Sequence, residues 1–193
     1  GGLAAALAVP LAVYLGIRAA MRPGGWFDRS ITTGSIALVS TPEFLIATLL
    51  VLGFSVQLGW LPAIARLSSG ADLWETLRVL AMPVLTLTAA VLAPMMRMTR
   101  SAILNVLSQP SIEMAILKGV PRRTIILKHA LPNAIAPIIN VIAVNLAYII
   151  GGVLVVETIF SFSGVAKLMV DGVAARDIPV VQACAMFFCA IYI

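Results

Sequence analysis

Residues 79–96, eighteen long, and residues 133–156, twenty-four long, contain no charged side chain at all. A hydrocarbon core about 30 Å thick takes ~20 mostly apolar residues to cross as a helix. Each stretch is therefore a candidate span. Three further runs meet the same test: residues 1–17, residues 31–57 with Glu43 as the one charge, and residues 178–193. The runs do not alternate, and a barrel strand would be about 10 residues long, so helices are expected. Composition agrees, with 61% hydrophobic and 11% charged residues against about 25% charged in soluble domains. The expected fold is all-α: a polytopic transmembrane helix bundle of about five spanning helices with the lipid bilayer as its surroundings. The net charge of +5 comes without a basic stripe interleaved with aromatics, so no nucleic-acid partner is expected.

The opening "GGLAAALAVPLAVYLGIRAA" has no Met, basic leader or small-residue cleavage site and reads as a helix already under way. The closing "QACAMFFCAIYI" stops inside an apolar run. Residues 1–193 are expected to be one transmembrane domain, incomplete at both ends. Cys184 and Cys189 read as small buried hydrophobes, with no disulfide framework and no metal spacing.

Lys and Arg set the orientation. Connections 18–30 and 97–132 together hold nine of them, whereas 58–78 and 157–177 hold four. The first pair is placed in the cytoplasm and the second pair outside.

The cytoplasmic connection contains "IEMAILKGVPRRTIILKHALPNA", which places Glu113, Lys118, Arg122, Arg123 and Lys128 within sixteen residues of an otherwise greasy chain. Ser108 is a candidate helix cap and Pro110 suits a first turn. Ile112, Ala115 and Ile116 share a face at helical spacing. Gly119 suits a left-handed position closing that helix. Pro121 suits the first turn of a second helix running to Leu131, and Pro132 is expected to break the chain before the next span. The segment thus reads as a helix-turn-helix. Its apolar residues Ile112, Ile116, Leu117 and Val120 among charges suit a docking surface or a membrane-surface anchor.

"EMAILKG" followed by "LP" resembles the Glu-Ala-Ala loop of binding-protein-dependent ABC importer permeases. Glu113, Ala115 and Gly119 match that pattern, Leu131-Pro132 resembles its close, and Met114 departs from the middle Ala. "LGWLPA", "RMTRSAILNVLSQ" and "GGVLVVETIFSFSGVAKLMVDGVAARDIPVVQ" are similar to the dipeptide, oligopeptide and nickel branch, the first of them to its B-type dipeptide subunit. The resemblance covers nearly everything from about residue 10 onward. It implies a coupling loop at about 101–132 that docks on a cytoplasmic ATPase through Glu113, Met114, Ala115, Ile116, Lys118, Gly119, Arg122, Leu131 and Pro132. It implies as partners a second permease subunit, two ATPase subunits and an extracytoplasmic solute-binding protein. The alternative for the loop is a solvated basic segment held at anionic lipid.

No Walker A pattern occurs, and no nucleophile stands with a base. The chain is expected to be no enzyme and to bind no cofactor, with ATP and Mg on the partner subunits. His129, the one His, reads as interfacial. Ala143, Ala147 and Gly151 form a small-residue ladder, suited either to packing within the bundle or to contact with a second permease across the translocation path. Asn140 and Asn145 could line that path or bond neighbouring helices. Glu43, beside Pro42, is either structural or a substrate contact. Segment 157–177 is amphipathic; by resemblance it holds a short helix on the outer face below the receptor, and otherwise it is an interfacial helix without a partner.

The function implied is a permease subunit importing di- or oligopeptides at the cytoplasmic membrane. A nickel or other small-solute importer of the same branch is the alternative. A secondary transporter would call for more intramembrane acids and an inverted repeat. A purely structural scaffold would survive loss of the 112–119 helix.

Overall fold

The computed structural model describes residues 1–66, 70 and 72–192. No strand occurs among the described residues. The helices are α1 (Gly2–Met21), α2 (Trp26–Ser40), α3 (Glu43–Leu50, extended by a π-helical Val51–Gln57), α4 (Leu73–Leu107), α5 (Pro110–Leu117), α6 (Arg122–Thr124), α7 (Leu131–Ile159), α8 (Val165–Ala175) and α9 (Ile178–Tyr192).

Among the described residues, α1, α4 and the continuous run Arg122–Ile159 are long and apolar enough to cross a membrane. The span expected over 31–57 is not one straight helix. It breaks between α2 and α3, and only if the broken pair counts as one span do the crossings reach four. Pro42 is the cause. It lacks an N–H and disfavours helix at the residue before it. Its own backbone is extended (φ −59°, ψ 143°), and its carbonyl accepts from the N–H groups of Leu45 and Ile46 at 2.9 and 3.2 Å as α3 restarts. The fifth expected span is α9, whose 15 residues rise only ~22 Å; its expected end at Ile193 lies outside the described residues, as do 67–69 and 71 of the 58–78 connection. Helix α4 is longer than its apolar run: 35 residues rise ~52 Å, which carries Arg97 and Arg100 past a ~30 Å core.

The chain divides into two compact units. One comprises Gly1–Ala5, Thr41–Ala89 and Ala147–Ile193. Its core sets Phe160 and Met82, both sealed from solvent, among Val79, Leu87, Val156, Ala47 and Ala65. The Ala65 N–H donates to the Phe160 carbonyl at 2.8 Å. The two connections that the charge count places outside are thus bonded to each other. Glu157, 9% exposed, orders the turn between α7 and α8. Its carboxylate accepts from the Lys167 N–H at 2.9 Å, closing an open donor in the first turn of α8 with a favourable charge. Gly164 stands at the cap of α8, where a Cβ would collide with the Glu157 carboxylate.

The other unit comprises Ala6–Ser40 and Ala90–Leu146. Here Ala8, Ala12 and Ala20 of α1 are wholly buried and follow one another at helical spacing with Gly16. A Cβ on Gly16 would stand 2.9 Å from the Met96 carbonyl and from the Thr99 side chain. In lipid, helices associate through such close van der Waals contact, because an apolar surface gains little by leaving apolar solvent. Ile103, Val106, Ile126, Ala130 and Ala134 complete this core.

Asp28, only 3% exposed, is held by Arg100. The guanidinium Nε and Nη2 both donate to its carboxylate, the latter at 2.7 Å, and the Gly24 N–H donates at 2.8 Å. Both residues lie outside the apolar spans, in the two connections assigned to the cytoplasm. The Arg100 hydrogen bond holds the Asp28 carboxyl below its ordinary range against the opposing effect of burial, with Gly24 adding to the lowering. The pair therefore stays ionised at physiological pH.

Removing one partner of a buried ion pair strands the other and costs about 3–5 kcal/mol. Asp28→Ala and Arg100→Ala are each expected to lower the melting temperature of the purified protein by several degrees, and the double charge swap to recover part of that loss. Gly16→Val, in contact with α4 backbone, is expected to lower it comparably, with no rescue by any change at Asp28.

Candidate functional site

The helix of the 112–132 segment forms, with its boundaries shifted. Ser108 does not cap it: the Ser108 hydroxyl donates to the Asn105 carbonyl at 2.8 Å and finishes α4. Gln109 is the capping position (φ −79°, ψ 147°) without a side-chain bond, and Pro110 occupies the first turn of α5, where its missing N–H is no loss. Glu113 lies in that same turn, at the favourable end of the helix dipole.

Gly119 ends α5 as expected, at φ +74°. The Gly119 N–H donates to the Ile116 carbonyl at 2.9 Å, and the Val120 N–H donates to Ala115 at 3.2 Å. These are the two reverse bonds of a Schellman turn, which requires a left-handed residue between them. Pro121 is not in the first turn of the next helix but just ahead of it, at φ −59°, ψ 138°.

The expected break at Leu131-Pro132 does not occur. The helix runs from Arg122 to Ile159 without interruption, and the second helix of the expected pair is simply its first turns. The reason lies just upstream, where Ile125–Ala130 is π-helical. A proline ring collides with the carbonyl four residues before it, and a wider turn moves that carbonyl away. The Asn133 amide then donates to the His129 carbonyl at 2.8 Å.

The expected apolar face is divided. Ile112 is buried (2% exposed) and Ala115 is half-buried, whereas Met114, Ile116 and Leu117 are exposed at 56, 58 and 75%. Helix α5 rests on the π-helical stretch and turns these three apolar side chains outward. Glu113, Lys118, Gly119, Arg122 and Pro132 are exposed around them, and Leu131 is half-buried. Val120, expected to face water, is half-buried.

The intramembrane residues separate. Asn145 is buried, and its amide donates to the Val141 carbonyl of its own helix at 2.8 Å. Asn140, Ala143 and Gly151 are exposed and Ala147 half-buried; a Cβ on Gly151 would meet nothing within 4 Å. Among the described residues, then, the ladder is open at Ala143 and Gly151 and partly covered at Ala147. The packed ladder is the one in α1, written openly as small residues in "LAAALAVPLAVYLGIRAA". Glu43 opens α3, with its Oε1 sealed from solvent and without a hydrogen-bond partner among the described residues. Its carboxyl rests against Gly152, where a Cβ would stand 2.6 Å from Oε1. Of the cysteines, Cys184 is buried and Cys189 exposed, so only the first is a core residue. No group of His, Cys, Asp or Glu among the described residues is arranged to hold a metal.

Sequence reasoning missed Asp28, Glu157, Gly152 and Gly164. The signal present was an acid near the end of an apolar run for each carboxylate. Nothing in the sequence pointed to Arg100 or Lys167 as the partner.

Residues 12–193 match the family described as binding-protein-dependent transport system inner membrane component. Over 181 residues, 94% of this chain, the sequence is 39% identical to glutathione transport system permease proteins of Escherichia coli (strain K12) and Shigella dysenteriae (strain Sd197). The same identity and coverage hold for the Salmonella choleraesuis (strain SC-B67) protein. The match covers 56% of those relatives' length, so this chain spans little more than half of them. A match over nearly the whole chain, with the apolar helices to fit it, is decisive: the chain belongs to the family of inner membrane components of binding-protein-dependent transport systems.

Proposed function

We propose that this chain is a permease subunit of an ATP-driven importer of peptide-type solutes, coupled to separate ATPase subunits through the elbow 112–132. The observation that carries the reading is α5. It is a short helix locked at its C-terminus by the Gly119 turn, anchored by Ile112, and exposing Met114, Ile116 and Leu117 inside a charged rim. An apolar patch on a rigid element suits a partner cleft, and the rim charges suit its selection and orientation. The charge count puts the elbow on the cytoplasmic side, where ATP is.

The relatives named for glutathione, a tripeptide, favour a peptide-type solute over nickel. The proposed assembly adds a second permease, two ATPase subunits that hold ATP and Mg, and an extracytoplasmic receptor. Closing of the ATPase pair would move α5 as a rigid body, and the helices would pass between outward- and inward-open arrangements. This chain forms no covalent bond with its solute.

In the assembled transporter, Ile116→Ser with Leu117→Ser is expected to cut ATP-driven peptide uptake into proteoliposomes at least about tenfold while the chain still inserts. In a background freed of Cys184 and Cys189, cysteine placed at Ala115 or Gly119 is expected to crosslink to the ATPase subunit. Crosslinks that never reach it, or labelling of these positions from outside the cell, would overturn the reading. Gly119→Val places a β-branched side chain at φ +74° and is expected to cost about 1–2 kcal/mol locally and to weaken the crosslink.

A further inference from the structure

We infer that the cavity of about 560 Å³ bounded by Leu61, Ile64, Arg66, Trp74, Glu75 and Arg78 is a weak subsite for a small carboxylate- or phosphate-type monoanion carrying an apolar group. Most of the lining lies in the connection that the charge count places outside, with Ser55 and Val79 at the adjoining ends of two apolar runs, and none of it belongs to the elbow.

Two guanidinium groups line one cavity, and among the described residues neither has an ion-pair partner. Arg78 is not free to wander. Its Nη2 donates to the Trp60 carbonyl at 2.6 Å. Trp60 is itself placed by the chain turn after the π-helical end of α3: its N–H donates to the Phe54 carbonyl at 2.9 Å, and its ring lies 6.2 Å from that of Phe54. Gly59, at φ +64°, makes that turn possible. One nitrogen of Arg78 is thereby spent on positioning, and the others remain available to a planar anion. Leu61, Ile64 and the Trp74 ring supply the apolar wall. A positioned polar group beside an apolar wall is part of the usual composition of a small-ligand site, and here Arg78 is the positioned one.

Glu75 gives the subsite its weakness. It lines the same cavity and repels an incoming anion, so retention is short. A group that hands a solute onward needs such weakness. The inference rests on the importer reading for its purpose but not for its chemistry. A peptide's terminal carboxylate and a lipid phosphate present the same anion, and these are the two sources to distinguish.

The test uses the complete transporter in nanodiscs of phosphatidylcholine, with saturation-transfer NMR on N-acetyl-leucine and, as control, its uncharged amide. The expected result is transfer to the acid and not the amide, reduced about tenfold in Arg78→Gln and Arg66→Gln and increased in Glu75→Gln. A merely structural role for these side chains does not produce opposite signs. Equal transfer to acid and amide, or no change in either arginine variant, overturns the subsite. Repeating the measurement with phosphatidylglycerol separates the sources: loss of the acid's signal assigns the site to lipid phosphate, and an unchanged signal assigns it to a solute carboxylate. Peptide uptake by the unaltered complex is measured in parallel; its failure counts against the importer reading and leaves the NMR result to decide the subsite.

Discussion

An amide N–H or carbonyl left unpaired in hydrocarbon costs several kcal/mol, and this chain has to close that requirement within its own helices. Its interruptions show how. At Thr41-Pro42 the helix stops, and the carbonyl of Pro42 becomes the first acceptor of the next one. At Leu131-Pro132 the helix does not stop, because a π-helical stretch ahead of the proline widens the turn that the ring would otherwise strike. The same residue type thus ends one helix and is absorbed by another, and the difference lies in the backbone upstream of it. Pro137, inside α7, is a third case, tolerated within a long helix whose neighbouring bonds persist.

This difference marks the limit of what the sequence makes legible. Charge-free runs located α1, α4, α7 and α9 because length and apolarity are themselves the physical requirement for crossing. The elbow was legible for an equally local reason: a Gly needed at positive φ closes α5, and Pro110 opens it. The failures were non-local. Whether Pro132 breaks a helix depends on the residues before it adopting a rarer pitch, which no residue type announces. Ser108 resembled a cap but spends its hydroxyl on Asn105. The Asp28–Arg100 pair joins positions 72 apart in the chain, and no spacing rule reaches that far.

Small residues left two readings open for a related reason. A ladder of alanines and glycines states that a close approach is possible, not that it happens. The ladder in α7 faces away from this chain's packed side, while the one in α1 lies against α4 at Gly16. Contact with a Cβ distinguishes them. Nothing stands within 4 Å at Gly151, whereas Met96 and Thr99 stand at 2.9 Å around Gly16. Ile138, Val141, Asn145 and Ile149 form the packed side of α7, and the polar amide of Asn145 is tolerated there because it bonds its own helix.

The unit that holds the elbow ties it to its neighbours at both ends. Helix α5 is short and would rotate freely on two flexible linkers. It has neither. Its end is closed by the Schellman turn, and it leans on the π-helical stretch that continues without a break into α7. Its beginning comes directly after α4, whose Arg100 is fixed to Asp28 at the head of α2. Helix α5 is thus joined by short connections to α4 and to the helix that continues into α7, and Asp28 ties α4 to α2. Packed interfaces of this kind shift between discrete arrangements rather than deforming smoothly. The ion pair costs desolvation and adds little net stability over an apolar contact. Within this unit it joins the head of α2 to α4.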